Sequence, residues 1–140
     1  MAATFIDACI AGALVGSAYI DARSRRLPNA LAVCICLLCA LHALSSRGMG
    51  QLVVNIACAT GTSAAILLTE LAWRRYRRAI GIGMGDIKLL FALMLRSPLL
   101  GAASFTAGLI CLAIAALITR QRTLPLIPFI APVYLVMLMA

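Results

Sequence analysis

Acidic residues are nearly missing from this chain. Only Asp7, Asp21, Glu70 and Asp86 carry a side-chain carboxyl, against 12 Lys and Arg, so the net charge is +8. Charged residues of both signs make up 11% of the sequence, where a soluble domain has about 25%. That scarcity excludes an ordinary water-soluble enzyme. Disorder is excluded as well, because 64% of the residues are hydrophobic and the mean hydropathy is +1.08. No Lys or Arg precedes the first apolar run, so the run lacks the basic start of a secretory signal and reads as a retained span. No cysteine sits in a polar loop, which argues against a disulfide framework. Cys9, Cys34, Cys36, Cys39, Cys58 and Cys111 all lie in apolar runs and read as small apolar side chains, not as metal ligands. The one histidine, His42, has no second ligand or nucleophile at a partner spacing.

What is present is apolar length. Six runs emerge, over residues 4–20, 27–46, 51–73, 82–96, 98–119 and 124–140. A membrane helix needs about 20 residues. The expected fold is therefore an all-α membrane protein, a polytopic bundle of about six transmembrane helices in a single domain, 1–140. The fourth run rises only about 22 Å as a helix. Basic residues alternate between the gaps. Arg23, Arg25, Arg26, Arg74, Arg75, Arg77, Arg78, Arg120 and Arg122 fall on one side, and only Arg47 and Arg96 on the other. Positive charge in short loops stays in the cytoplasm, so both termini are expected outside. The arginines read as a topology signal toward the lipid bilayer. No nucleic-acid partner is expected, because they are split among three short loops.

The acids then stand out. Asp21 closes the first run and Asp86 opens the fourth, both at the expected cytoplasmic boundary. A carboxylate at membrane depth is costly, yet two helices bring one to the same level. Two neighbouring carboxyls cannot both ionise easily, so one keeps its proton. Such a pair can activate water: the charged member takes its proton and the protonated member polarises a carbonyl. Gly81, Gly83 and Gly85 precede Asp86 in Gly-Ile-Gly-Met-Gly-Asp-Ile-Lys. Alternating glycines predict unusual, extended backbone around Gly83–Gly85, open to pairing with a substrate strand. After Asp21 the chain turns and re-enters at Pro28, where Pro suits a helix start and Asn29 can serve it.

The segment Asp21-Ala-Arg-Ser-Arg-Arg-Leu-Pro-Asn29 resembles the first aspartate motif of type IV prepilin peptidases. Gly83-Met-Gly-Asp-Ile-Lys88 resembles their second motif, GxGDxK, at every fixed position. The likeness runs from Ala18 to about Pro132. It implies Asp21 and Asp86 as catalytic residues, with Gly83, Gly85, Lys88, Pro28 and Asn29 as supporting motif residues. It also implies an intramembrane aspartic endopeptidase of the prokaryotic cytoplasmic (inner) membrane. The enzyme would cut the leader from a type IV prepilin or pseudopilin at the cytoplasmic face. No metal and no cofactor are expected. Larger members carry an insertion with paired CxxC motifs, associated with zinc and N-methylation. Nothing here corresponds, so methyltransferase activity is not expected. Pro128-Phe-Ile-Ala-Pro132 reads as a kink in the last span.

The remaining polar residues have plainer readings. Asp7 lies about 21 Å along the helix from Asp21 and reads as an outer-interface residue. Glu70 precedes Arg74 by one helical turn and predicts an ion pair. Lys88 points about 160° from Asp86 on a helix and can snorkel outward. Two other functions compete: a small proton-coupled transporter relaying through Asp21, Glu70 and Asp86, and a non-catalytic subunit of a pilus or secretion machine. A relay wants carboxyls at several depths, and three of the four cluster on one side.

Overall fold

The computed structural model describes residues 2–24, 27–77, 81–120 and 124–139. Arg25, Arg26, Arg78 and Arg122 of the expected basic loops lie outside the described residues, as does Ala140. The described fold is all helical: α1 (Ala2–Ser24), α2 (Asn29–Arg77), α3 (Met84–Arg96), α4 (Pro98–Thr119) and α5 (Ile127–Met139). Three helices, over Thr4–Ser24, Asn29–Arg77 and Pro98–Thr119, are long and apolar enough to cross a membrane; α5 is apolar but shorter.

The expected second and third runs are joined in α2. The break between them shrinks to one residue, Gly48, at φ 80° and ψ 178°. Only glycine takes that conformation readily, because any Cβ would clash with the backbone. A straight helix of these 49 residues would reach about 74 Å, more than twice the hydrocarbon thickness of a bilayer. Its hydrogen bonds show that it folds back instead. Asn29, at its start, meets Lys88 near the start of α3. Asn55 meets the last carbonyls of α3. Glu70 returns to the backbone just ahead of α3. The chain runs along α3, reverses around Gly48, and comes back.

Helix α3 is the centre. Leu89, Leu90, Ala92, Leu93, Met94 and Leu95 are all buried, covering every face; a helix apolar all round belongs inside. They pack with Ile10 and Leu14 of α1, Ile35 and Cys39 of α2, Phe105 of α4, and Ile130 and Tyr134 of α5. The exterior is apolar too: Phe5, Leu37, Leu68, Leu99, Leu117 and Val136 are exposed. So large an apolar surface calls for apolar surroundings. Cys34, Cys58 and Cys111 belong to that exterior, and only Cys39 is fully buried. In α5, Pro132 lies inside the helix, which removes the amide that would bond Pro128 one turn back.

The far end of α3 holds a polar cluster. Fully buried Asn55 donates from Nδ2 to Leu95 O at 2.8 Å and Arg96 O at 3.2 Å, and Gln51 Nε2 donates to Asn55 Oδ1 at 2.9 Å. These bonds satisfy carbonyls that a helix end leaves open. Asp7 Oδ1 lies 3.1 Å from Arg96 Nη2 and 3.3 Å from His42 Nε2. Asp7 is thus an ion-pair partner more than a lone interface residue. His42 has a partner that its sequence neighbours do not reveal.

Gly48 and Gly50 give opposite expectations. Gly48→Ala forces a side chain into the positive-φ break and should cost roughly 1–3 kcal/mol. Gly50 lies in the helix, and a Cβ there meets nothing within 4 Å, so Gly50→Ala should gain about 0.5–1 kcal/mol. Thermal unfolding of the purified protein in detergent should show a lowered midpoint for the first variant and a raised one for the second.

Candidate active site

Asp21 and Asp86 line the same two cavities, of about 240 and 330 Å³, and Gly83 is the other residue common to both. Asp21 stands in the last turn of α1 and is only 6% exposed. Its Oδ2 accepts the N–H of Ile127 at 3.3 Å. Ile127 opens α5, and the first amides of a helix have no partner within it. Asp86 stands in the first turn of α3, and Gly83 is the N-cap. From this third helical position a carboxylate points back toward the N-cap, and Asp86 Oδ2 lies against Gly83, 2.9 Å from where a Cβ would stand. Each aspartate is therefore held at the N-terminus of a helix, where open amides and the helix dipole favour negative charge. Between them lies enough space for several waters.

The backbone before Asp86 differs in detail from the expectation. Gly83 is extended, at φ −70° and ψ 143°, but any residue adopts those angles. Its missing side chain matters for another reason: a Cβ there would sit 2.9 Å from Asp86 Oδ2. Gly85 is helical, not extended. A Cβ there would come within 3.3 Å of Leu27 Cβ, so the start of α3 packs tightly on the segment that follows Asp21.

Nor is this stretch an open strand edge. Glu70, 4% exposed, accepts the Gly81 N–H on Oε1 at 3.0 Å and the Ile82 N–H on Oε2 at 2.8 Å. Arg74 donates from Nη2 to Ile82 O at 3.3 Å. Gly83 O accepts from Asp86 and Ile87. With those groups committed inside the protein, pairing of a substrate strand with the glycine segment does not fit this geometry.

The sequence matches the type IV leader peptidase family over residues 8–139. The chain belongs to that family. The match takes in both aspartates and nearly all of the helices described above, and it makes the protein a leader-peptidase-like protease. No curated protein and no solved structure matches the chain.

Within this family member the two motifs are physically joined. Lys88 Nζ donates to Asn29 Oδ1 at 2.8 Å. The expected outward-snorkelling lysine thus spans from α3 to the start of α2, and it also lines the larger aspartate cavity. Pro28 stands just before α2, its carbonyl accepting from Leu31 and Ala32. The oxygen of Asn29, expected to serve the helix start, is turned to Lys88. The Glu70–Arg74 ion pair is present at 2.7 Å, but local spacing did not announce the two backbone bonds that Glu70 adds. Among the described residues no three of His, Cys, Asp and Glu converge as a metal site. Asp7 lies in the cluster with Arg96, away from both aspartate cavities.

Gly83→Ala should lower peptidase turnover at least about 10-fold, because its Cβ displaces the Asp86 carboxylate by an amount large for near-attack geometry. Gly85→Ala, which needs only a small shift of Leu27, should lose less. Rates of leader removal, compared at equal amounts of membrane-inserted protein, check the order.

Proposed function

We propose that this peptidase is an intramembrane aspartic endopeptidase that removes the leader of type IV prepilin-like proteins at the cytoplasmic membrane face. The observation that carries the reading is the shared cavity between Asp21 and Asp86. Two carboxyls that face one space, each at the N-terminus of a helix, form an acid–base pair when they share one proton. The charged carboxylate takes a proton from a water as the water oxygen adds to the scissile carbonyl carbon. The protonated carboxyl gives its proton to the carbonyl oxygen. The resulting gem-diol collapses, the C–N bond breaks, the amine nitrogen takes a proton, and the dyad is again singly protonated. This cycle balances without a metal or cofactor.

Six crossings fit the hairpin in α2 together with the four other helices, with the arginine-rich gaps in the cytoplasm of a prokaryotic cell. The described basic residues agree with such an arrangement. Arg23 and Arg74 lie near the aspartate end of the bundle, and Arg96 lies at the opposite end. A proton-coupled transporter fits less well. Asp21, Glu70 and Asp86 gather at one end of α3, where a relay would need steps across the bilayer.

Asp21→Asn and Asp86→Asn should each abolish leader removal from a co-expressed prepilin while leaving the protein in the membrane. Asp7→Asn should keep cleavage but lower the thermal midpoint, because Arg96 loses its partner. Normal processing by Asp86→Asn would end the dyad reading.

On this reading the substrate's apolar helix lies in the bilayer against the bundle. The smaller cavity is walled by Leu109 and Leu112 of α4 and by Leu124 and Leu126 ahead of α5, an apolar approach to the dyad. The basic loops repel a basic leader and suit anionic lipid instead. Neutralising leader lysines in the prepilin should therefore change cleavage by less than about 3-fold, within the range of screened surface charge. Replacing the Gly before the cut by Leu should stop it. Cleavage assays on the two substrate series would reveal the opposite pattern if leader charge governed recognition.

A further inference from the structure

Glu70 belongs to α2, yet its carboxylate is spent mostly on another part of the chain. Both oxygens accept backbone amides from the segment that leads into Asp86: Gly81 N–H on Oε1 and Ile82 N–H on Oε2. Arg74 closes the arrangement from the other side, with Nε on Glu70 Oε1 at 2.7 Å and Nη2 on Ile82 O at 3.3 Å. Gly81 lets the carboxylate come this close, since a Cβ there would stand 2.8 Å from Glu70 Oε2. The next residue, Gly83, is the N-cap of α3; its carbonyl accepts from Asp86 N and Ile87 N, and a Cβ there would stand 2.9 Å from Asp86 Oδ2. Gly81, Ile82 and Gly83 line the smaller aspartate cavity. The segment that Glu70 holds thus runs directly into the residue that abuts the Asp86 side chain.

An exposed ion pair one turn apart on a helix contributes little. A buried carboxylate that accepts two main-chain amides does more. It satisfies donors that would otherwise be lost to apolar surroundings, and it sets the path of a segment with no side chains at Gly81 and Gly83 to set it.

We propose that Glu70 is a positioning residue for the peptidase reaction: it clamps Gly81 and Ile82 so that the N-cap at Gly83 presents the Asp86 carboxylate to Asp21. The clamp deepens the aspartic dyad reading and rests on it. Glu70 does not touch the reacting atoms in this role. It acts on turnover through Asp86, and substrate affinity depends on other surfaces.

The discriminating variant is Glu70→Gln. It keeps size and shape, but its NH₂ group turns one of the two facing amides into a donor against a donor. Arg74→Met removes the ion pair while leaving both amide bonds of Glu70 in place. The full-length protein is reconstituted in lipid bilayers and assayed with a purified prepilin bearing a basic leader that ends in Gly. Glu70→Gln should lower kcat at least 30-fold with KM within about 3-fold of the parent, and Arg74→Met should lower kcat less than 5-fold. Parental kcat in Glu70→Gln, or equal losses in the two variants, would overturn the clamp and leave an ordinary helical ion pair. Amide hydrogen exchange on the same reconstituted proteins gives a readout independent of cleavage. The Gly81 and Ile82 amides should be protected in the parent and exchange at least 10-fold faster in Glu70→Gln, with α1 and α4 unchanged. Unchanged protection of these two amides overturns the clamp whatever the activity. Loss of this protection in Glu70→Gln, found together with a parent protein that does not cleave the prepilin, supports the clamp and counts against the dyad reading alone.

Discussion

The architecture depends on keeping both ends of one short buried helix satisfied in apolar surroundings. Helix α3 has 13 residues and is about 20 Å long. An unpaired amide or carbonyl at membrane depth would cost several kcal/mol. The returning arm of α2 supplies partners for its last carbonyls and for the two amides just ahead of its N-cap. Asn55 takes the carbonyls of Leu95 and Arg96, and Glu70 takes the amides of Gly81 and Ile82. Along a helix those two side chains stand about 22 Å apart, close to the length of α3. The arm acts as a gauge: it fits α3 only in one register, and that register puts Asp86 at the cavity. The hairpin at Gly48 follows from the same need, since the arm must run back beside α3 to reach both ends.

The carboxyls are distributed by the same logic. Three of the four gather at the start of α3: Asp21 accepts the Ile127 amide, Glu70 accepts those of Gly81 and Ile82, and Asp86 stands in the helix's first turn. Among the described residues, Glu70 alone of the three also forms an ion pair with an arginine. Amides stabilise a negative charge without adding a full positive one. The fourth acid, Asp7, sits at the other end against Arg96, a fixed ion pair where no proton needs to move.

The helical character, the outline of the helices and the convergence of the two aspartates on one cavity were legible in the sequence because their signals are local or compositional. Apolar length announces a membrane helix, and Asp21 and Asp86 stand out where carboxyls are so few. The return of α2 was legible as two runs, although the single glycine that separates them was not, because residues 47–50 read as a loop and fold as helix around one broken residue. Asn55 and the backbone bonds of Glu70 were not legible. Nothing in a helical period marks one polar residue in an apolar run as the cap of another helix. For Glu70 the one-turn spacing to Arg74 offered an answer that was correct and incomplete. Gly83 was legible as a required glycine for a reason the structure replaces: the constraint is the nearby Asp86 carboxylate, not the backbone dihedral.

Because Glu70 and Arg74 occupy the amides and the carbonyl of the glycine segment, that segment cannot serve as a strand partner while the clamp holds. A substrate peptide entering an apolar site must still satisfy its own backbone near the scissile bond. The two cavities offer different means. The smaller is walled by leucines of α4 and of the approach to α5, and the larger includes Lys88 and the start of α2. Under the proposed function, an apolar substrate helix matches the leucine wall, while the unwound leader before the cut lies toward the larger cavity. The scissile bond then falls where the two cavities meet, at Asp21, Gly83 and Asp86. A glycine before the cut suits that meeting point, because Gly83 already contributes no side chain there and the space between the carboxyls must also admit a water. Specificity on this account comes from how little room the dyad leaves, and it needs no recognition surface outside the membrane.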